Sequence, residues 1–306
     1  MDDVDLSGLG MAGLIYDLRQ VEVFRGPQSS IFGPNALAGL ISLRSADPDD
    51  QFTVKAQYGL GSQENSRRGA AVGGPLGEKL AYRLSYHSGY INGFRQNIFR
   101  NSFDSNKRDE KLLRAKLRFA PSPRFNLLGT FFQTVLDNGY DAWAPDNNTF
   151  LHTYSNDLGK DSQTTDAFSL RAKITLAERI TLTSVTAYSE TDLVHSYDGD
   201  WANEEFWGAE PFNFNPLTEG WKYEFFDRND RHRATVTQEF RVVSGGWVAG
   251  VYGKAMNEKN DATGYLYGGD ATEMTSDYDF SVTAGYGQFQ LPIGGRMGGK
   301  GNIRVE

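Results

Sequence analysis

Gly8-Leu9-Gly10-Met11-Ala12-Gly13 is the first stretch whose residue types and spacing could do chemistry, because it carries the glycine pattern of a dinucleotide-binding turn. Such a turn grips a pyrophosphate only when a strand leads into it and a helix leaves it within a βαβ unit. No strand pattern precedes Gly8 and strand patterns follow, so the glycines read as a plain bend. Asp137-Asn138-Gly139-Tyr140-Asp141, with Asp146, Asn147 and Asn148, offers oxygen ligands of the kind calcium takes. It lacks the regular spacing and terminal glutamate of a calcium-binding loop, and reads as a solvated loop. The four histidines, His87, His152, His195 and His232, are scattered without ligand spacing. No Gly-x-Ser-x-Gly elbow or other nucleophile motif occurs. The reading is therefore a protein that is not an enzyme, with no catalytic residue, no metal and no cofactor.

Composition narrows the class. Across 306 residues the net charge is −8, there is no Cys, and aromatics make up 13%. A nucleic-acid binder of this size would carry a basic stripe, so no nucleic-acid partner is expected. Without cysteine there is neither a disulfide framework nor a thiolate metal site. No run approaches the roughly 18 apolar residues of a membrane helix. A barrel strand, however, meets lipid only at every second residue and hides its membrane signal in alternation. Met1-Asp2-Asp3-Val4-Asp5 shows neither part of a secretory signal, so an exported protein is expected to begin upstream.

From about residue 52 the chain repeats alternating segments of about ten residues bounded by turn residues. Leu80, Tyr82, Leu84 and Tyr86 interleave with Arg83, Ser85 and His87; Leu113, Leu117 and Phe119 with Arg114, Lys116 and Arg118; Phe168, Leu170 and Ile174 with Ser169, Arg171 and Lys173. Val236, Phe240 and Val242 oppose Thr235, Thr237, Glu239 and Arg241. Side chains flip faces at each step, so every segment has one apolar and one polar wall. Weaker versions near 53–60, 66–76, 124–135, 179–190, 246–256, 279–291 and 299–306 bring the tally to about eleven strands. Tight turns fall at Gly77-Glu78, Pro121-Ser122-Pro123, Ala177-Glu178-Arg179 and Gly245-Gly246. Long loops at about 92–110, 136–163, 193–230 and 257–277 alternate with them, so the long connections share one end, as in transmembrane barrels. Leu84, Leu117, Leu170 and Phe240 are expected on the lipid side, and Arg83, Arg114, Arg118, Arg171 and Glu239 on the concave side. Tyr58, Tyr86, Tyr188 and Tyr252 suit an interfacial girdle, or simply strand propensity.

The stretch before residue 48 behaves differently. Val21-Glu22-Val23-Phe24 reads as a strand, Arg25-Gly26-Pro27 as a turn, Ile31 to Gly39 as a Gly/Ala-rich bend, and Leu40-Ile41-Ser42-Leu43-Arg44 as a second strand. The order Val-Glu-Val-Phe-Arg-Gly-Pro-Gln-Ser-Ser-Ile-Phe-Gly-Pro-Asn-Ala-Leu-Ala-Gly-Leu-Ile resembles the end of the plug domain of TonB-dependent receptors. The resemblance is strong over 21–44 and one of pattern beyond. It implies an all-β fold: a partial, open antiparallel transmembrane barrel of about eleven strands, residues 48–306, preceded by the remnant of an α+β plug, residues 1–47. It further implies energy-coupled uptake of a scarce ligand, a ferric siderophore-type complex before cobalamin, haem or oligosaccharide. The localisation is then the outer membrane of a Gram-negative-type cell. The partners are the inner-membrane energy-coupling protein TonB, whose binding box is not in this sequence, outer-membrane lipid and lipopolysaccharide, and the ligand.

By the same resemblance Arg25 is the motif arginine that meets glutamates on the barrel wall, a lock that must also open. Local pairing of Arg25 with Glu22 is the competing reading. Gly26, Pro27, Gly33 and Gly39 are read as structural. Ligand-contact candidates are the loop aromatics Trp143, Trp201, Trp207, Trp221 and Tyr223, unless these rings pack on one another. Half a family barrel cannot close, and the last residues lack a terminal aromatic, so the sequence reads as a fragment. Two other classes share parts of the pattern: a soluble β-rich polysaccharide-binding or polysaccharide-cleaving protein, and a passive porin.

Overall fold

The computed structural model describes residues 1–10, 15–26, 38–271, 274–293 and 297–306. β1 (Leu18–Arg25) and β2 (Gly39–Ser45) pair antiparallel as a small separate sheet. The large sheet begins with β3 (Thr53–Leu60), β4 (Ser66–Pro75) and β5 (Leu80–Ile91). After the two-residue β6 (Gln96–Asn97) come β7 (Arg108–Ser122) and β8 (Phe125–Tyr140). Beyond the equally short β9 (His152–Thr153) lie β10 (Gly159–Ala177) and β11 (Ile180–Asp198). Two helical turns, α1 (Glu204–Gly208) and α2 (Pro216–Glu219), precede β12 (Phe225–Val243) and β13 (Trp247–Leu266). A short β14 (Gly269–Asp270) leads to β15 (Met274–Ile293) and β16 (Met297–Val305).

Each long strand pairs antiparallel with its neighbours in sequence, giving an open sheet of eleven strands with β3 and β16 at its edges. Described connections at one end are short: 76–79, 123–124, 178–179 and 244–246. Those at the other end are longer: 61–65, 92–107, 141–158 and 199–224. The strand tally and the placing of the long connections therefore agree with the sequence pattern. The strands run further than alternation showed. The stretch 257–277, read as loop, is mostly ladder, with Asp261 opposite Thr275 and Ala262 opposite Met274.

The physical reason lies on the convex face. On β10 the outward apolar row covers the nine positions from Phe168 to Leu176, the length with which a tilted strand crosses the hydrocarbon core. Past that row the outward residues become polar: Glu190 and Asp192 on β11, His232, Asp230 and Arg228 on β12, Lys259 and Asp261 on β13. The backbone ladder continues, but both walls are wet and the alternation that betrays a strand disappears.

The two faces sort as expected. Leu84, Leu117, Leu170 and Phe240 are 37–48% exposed on the convex side, while Arg83 and Arg114 are 6% and 2% exposed on the other. Tyr58, Tyr86 and Tyr188 face outward with the apolar row. Tyr252 does not belong to that girdle. Its neighbour Val251 pairs with the outward Phe240, so Tyr252 points inward beside Lys254, with the Arg304 guanidinium 5.7 Å above its ring. The described core lies on the concave side, where Val4, Leu6, Tyr16 and Leu43 pack on Ala71, Leu112, Phe132, Ala167 and Ala187.

Candidate functional site

Two places gather the chemistry of the chain: the contact between the N-terminal unit and the concave wall, and the mouth formed by the long connections. At the first, residues 1–10 run across the wall as a strap. Ser169 Oγ donates to the Asp2 carbonyl at 2.8 Å, Arg233 Nη1 to the Ser7 carbonyl at 2.7 Å, and the Gly10 N–H to Gln163 Oε1 at 2.8 Å. The ring of Tyr16 lies where a β-carbon on Gly69 would stand, 2.5 Å from Cε2, so that wall position must be glycine for the unit to seat. The strap therefore fixes both ends of the contact, across β10 and β12.

Aspartates on the unit meet bases on the wall. Arg83 donates twice to Asp17, each at 2.6 Å, in a fork that is buried on both sides. Lys55 reaches the same carboxylate at 3.2 Å. Lys116 lies 3.3 Å from Asp2 and 2.9 Å from Asp47, and Lys254 2.7 Å from Asp5. Arg171 pairs with Asp3 and Arg118 with Asp50. Arg114, almost wholly buried, donates to the Tyr16 carbonyl at 3.0 Å with Asp2 at 3.7 Å. Burial alone would raise the pKa of Asp2, but Lys116 and the Ser45 hydrogen bonds outweigh it and hold the carboxyl below its ordinary value. Burial is likewise overcome at Asp17 by Arg83 and Lys55, and at Asp5 by Lys254 and Ser7. These carboxylates are kept ionised by design of their surroundings, since a buried charge without a partner costs several kcal/mol, roughly.

The polarity is the reverse of the lock implied by the resemblance, which puts the arginine on the plug and the acids on the wall. Arg25 ends β1 exposed, pairs through its backbone with Gly39, and makes no ion pair among the described residues. Glu22, opposite Ser42, sits half-buried three positions earlier, so its side chain points to the other face of β1. Gly26 adopts φ +78° after Arg25. At Gly39, with φ +151°, a β-carbon would meet the Phe24 carbonyl at 2.6 Å, which demands glycine. Pro27 and Gly33 lie outside the described residues.

At the mouth, a buried polar frame ties three connections together. Asn97 Nδ2 donates to Asp141 Oδ2 at 3.0 Å and to the Ser155 carbonyl at 2.9 Å; Thr153 and Ser155 hydroxyls donate to the same carboxylate. Asn203 Nδ2 donates to the Tyr154 carbonyl at 2.7 Å. Asp198, 4% exposed at the outer end of β11, accepts from the N–H groups of Asp200 and Trp201, and at 3.4 Å from that of Asp157. Asp200 accepts from the Trp207 indole at 3.1 Å and the Phe225 N–H at 3.0 Å. Among the described residues these two acids have no base. Burial, and then the neighbouring Asp200 carboxylate, push Asp198 up to about 7, and burial raises Asp200 as well.

The sequence-nominated aromatics divide into two sets. Trp207, Trp221 and Tyr223 join one run of packed rings with Phe206, Phe212, Phe214, Phe225 and Tyr267, at centroid separations of 4.5–5.7 Å. Trp143 and Trp201 stand apart as an exposed stacked pair. A cleft of about 470 Å³ among the outer connections is lined by Phe99, Asn156, Asn203, Glu204, Glu205 and Glu224. The oxygen-rich stretch read as a solvated loop is partly strand and internally bonded: Asp137 lies in β8 and pairs with Lys107 at 3.1 Å, and Asp146 accepts from Asn148 and from the Tyr154 hydroxyl. Sequence reasoning missed Asp2, Asp3, Asp5 and Asp17. The signal was available, because a row of inward bases on five strands calls for acids to face it.

No protein-family model matches the chain. Among solved structures it is similar to the ferric yersiniabactin uptake receptor FyuA from Yersinia pestis, at 16% identity and TM-score 0.77 over 94% of this chain and 48% of that one. The ferric-catecholate import receptor Fiu from E. coli K12, in its open form, gives 17% and 0.68 over 94% and 49%. The copper transporter OprC gives 13% and 0.61 over 92% and 41%. The fold is that of TonB-dependent receptors. The chain spans about half the length of the structures it matches.

Proposed function

We propose that this chain is part of a TonB-dependent outer-membrane receptor for energy-coupled uptake of a ferric siderophore-type complex, with residues 1–47 as plug and 48–306 as barrel. The observation that carries the reading is the inner contact: an acidic N-terminal unit ion-paired into a basic concave wall, inside a sheet whose convex face is apolar over one bilayer thickness. A contact of that kind holds a plug while leaving it separable by force, because ion pairs and hydrogen bonds are lost one by one. The convex face meets lipid, and the wet outer ladder meets lipopolysaccharide. Arg25, exposed at the end of β1, is the plug residue left to lock against wall acids, and the coupling protein TonB supplies the pull. The role we propose is transport, as in the receptors and transporters of similar fold. Cobalamin, haem, copper and oligosaccharide are alternative cargoes.

The test is uptake of radio-iron chelates, cobalamin, haem and copper by cells carrying the receptor, with and without the coupling protein. One ferric chelate should be bound in both strains and internalised in one. Equal internalisation in both strains would make the protein a passive pore.

A further inference from the structure

Trp143 and Trp201 come from different connections, 141–158 and 199–224, and their rings stack with centroids 5.8 Å apart and planes 28° apart. They keep 56% and 40% of their surface exposed, while aromatics six residues further along the same connection are packed together. Trp201 holds φ at +62°, a conformation that bulky residues avoid. Its N–H is pinned at 2.9 Å by the buried Asp198 carboxylate, and Ala202 and Asn203 behind it are buried in the frame. The fold thus holds Trp201 in a strained conformation while the stacked pair stays at the surface. Strain held by a rigid surround is a mark of a working surface.

Charge says what that surface receives. The two connections hold nine Asp and Glu against one Lys, so they carry the chain's entire net charge of −8. That lysine, Lys222, lies 3.7 Å from Glu224. From 92–107, Arg95 lies over Phe94, Arg100 donates to the Asn156 carbonyl at 2.9 Å and Lys107 pairs with Asp137; with Asp104 that connection adds +2, so the three connections together stay at −6. Indole faces are electron-rich and attract cations, more so in a negative field. We infer that Trp143 and Trp201 form a cation–π platform that takes the positively charged, alkylated or flat part of a small metal chelate. This rests on the receptor reading above and narrows its cargo: a polyanionic chelate meets like charge at the mouth, a cationic one is drawn in.

The experiment uses the full receptor in detergent and three ferric trihydroxamate chelates that differ at one amine: free ammonium, acetylated and neutral, or succinylated and anionic. Tetramethylammonium serves as an iron-free probe. Calorimetry should rank affinity cationic, neutral, anionic, with about threefold to thirtyfold between the first two. Trp143→Leu and Trp201→Leu should each weaken the cationic chelate most and so narrow that gap. Tetramethylammonium should quench indole fluorescence in the wild type and lose that effect in the double variant. Equal affinities, a reversed order, or an equal loss for all three chelates in the variants overturns the platform while the receptor reading survives. If no chelate binds but the quenching by tetramethylammonium is present and Trp-dependent, the platform stands and the iron-chelate reading fails. Absence of both binding and quenching overturns the platform.

Discussion

Buried aspartates organise both the inner contact and the outer mouth, yet they work in opposite electrostatic regimes. At the inner contact each buried acid faces a wall base, so Asp2, Asp5 and Asp17 titrate below their ordinary range. At the mouth Asp198 and Asp200 face backbone N–H groups, the Trp207 indole and each other, with no base among the described residues, and titrate above it. The difference teaches that the same side chain can serve as a charge to be clamped or as a hub of backbone hydrogen bonds. Only the first needs a partner of opposite sign, and only the first is undone by moving that partner away.

The largest way to break the comparison is to remove one member of a clamped pair. Asp17→Asn should leave Arg83 buried without its carboxylate and cost about 3–5 kcal/mol of docking stability, as for other buried pairs cut on one side. Limited proteolysis should then cut within residues 1–50 faster than in the wild type. The exchange Asp17→Arg with Arg83→Asp should recover part of the loss, and no recovery would mean that packing of Tyr16, not charge, seats the unit.

A pH series sharpens the contrast. Asp17, Asp2 and Asp5 have depressed values, so their stabilisation is present above the unfolded carboxylate value and is lost as pH falls through the folded one. Asp198 is raised, so its stabilisation is full below the unfolded value and is lost as pH rises towards about 7. Acidification should therefore loosen the inner contact and tighten the mouth. Four of the five tryptophans sit in the outer connections, so melts followed by indole fluorescence report mainly the mouth. The mouth should melt at a higher temperature near pH 5 than near pH 8, and Asp198→Asn should flatten that slope. A wild-type mouth with no slope between pH 5 and pH 8 would show that Asp198 is ionised throughout.

Smaller still is Trp207→Phe, which keeps the ring among its neighbours and removes one donor to Asp200. The expected cost is about 1 kcal/mol, read as a fall in the same fluorescence melt. Last comes Arg25→Ala. An exposed residue without an ion pair among the described residues should change stability by no more than about 0.5 kcal/mol. Ligand binding at the mouth should be intact, and energy-coupled uptake should change if Arg25 is the lock. Collapse of binding with normal uptake per bound ligand would place Arg25 in the ligand site instead.

Much of the sheet was legible because a membrane wall imposes alternation: Leu113, Leu117 and Phe119 against Arg114, Lys116 and Arg118 could be read straight from the order of residues. The ladder past Tyr188 and Val236 was not, since water on both faces removes the reason for alternation. The short turns were legible from Gly and Pro. The inner contact was half legible: the inward bases were visible, but their partners Asp2, Asp3 and Asp5 looked like an ordinary acidic start. Nothing in the order of residues joins Asp17 to Arg83 across 66 positions. The mouth was least legible, because its frame of Asn97, Asp141, Asp198 and Asn203 uses residue types that solvated loops also use.

The ladder beyond the apolar row has a consequence for how the mouth meets its surroundings. From Tyr188 to Asp198 the strand climbs ten residues, about 33 Å along its axis, or roughly 23 Å in height for a strand tilted near 45°. At physiological ionic strength a fixed charge is felt over about 8 Å. The acidic mouth therefore stands more than two screening lengths above the apolar belt, beyond the reach of most of the ion atmosphere that gathers at a charged lipid surface. Its own carboxylates set the local counter-ion concentration. Capture by the mouth should then follow the ionic strength of the medium and be insensitive to the surface charge of the membrane that carries it.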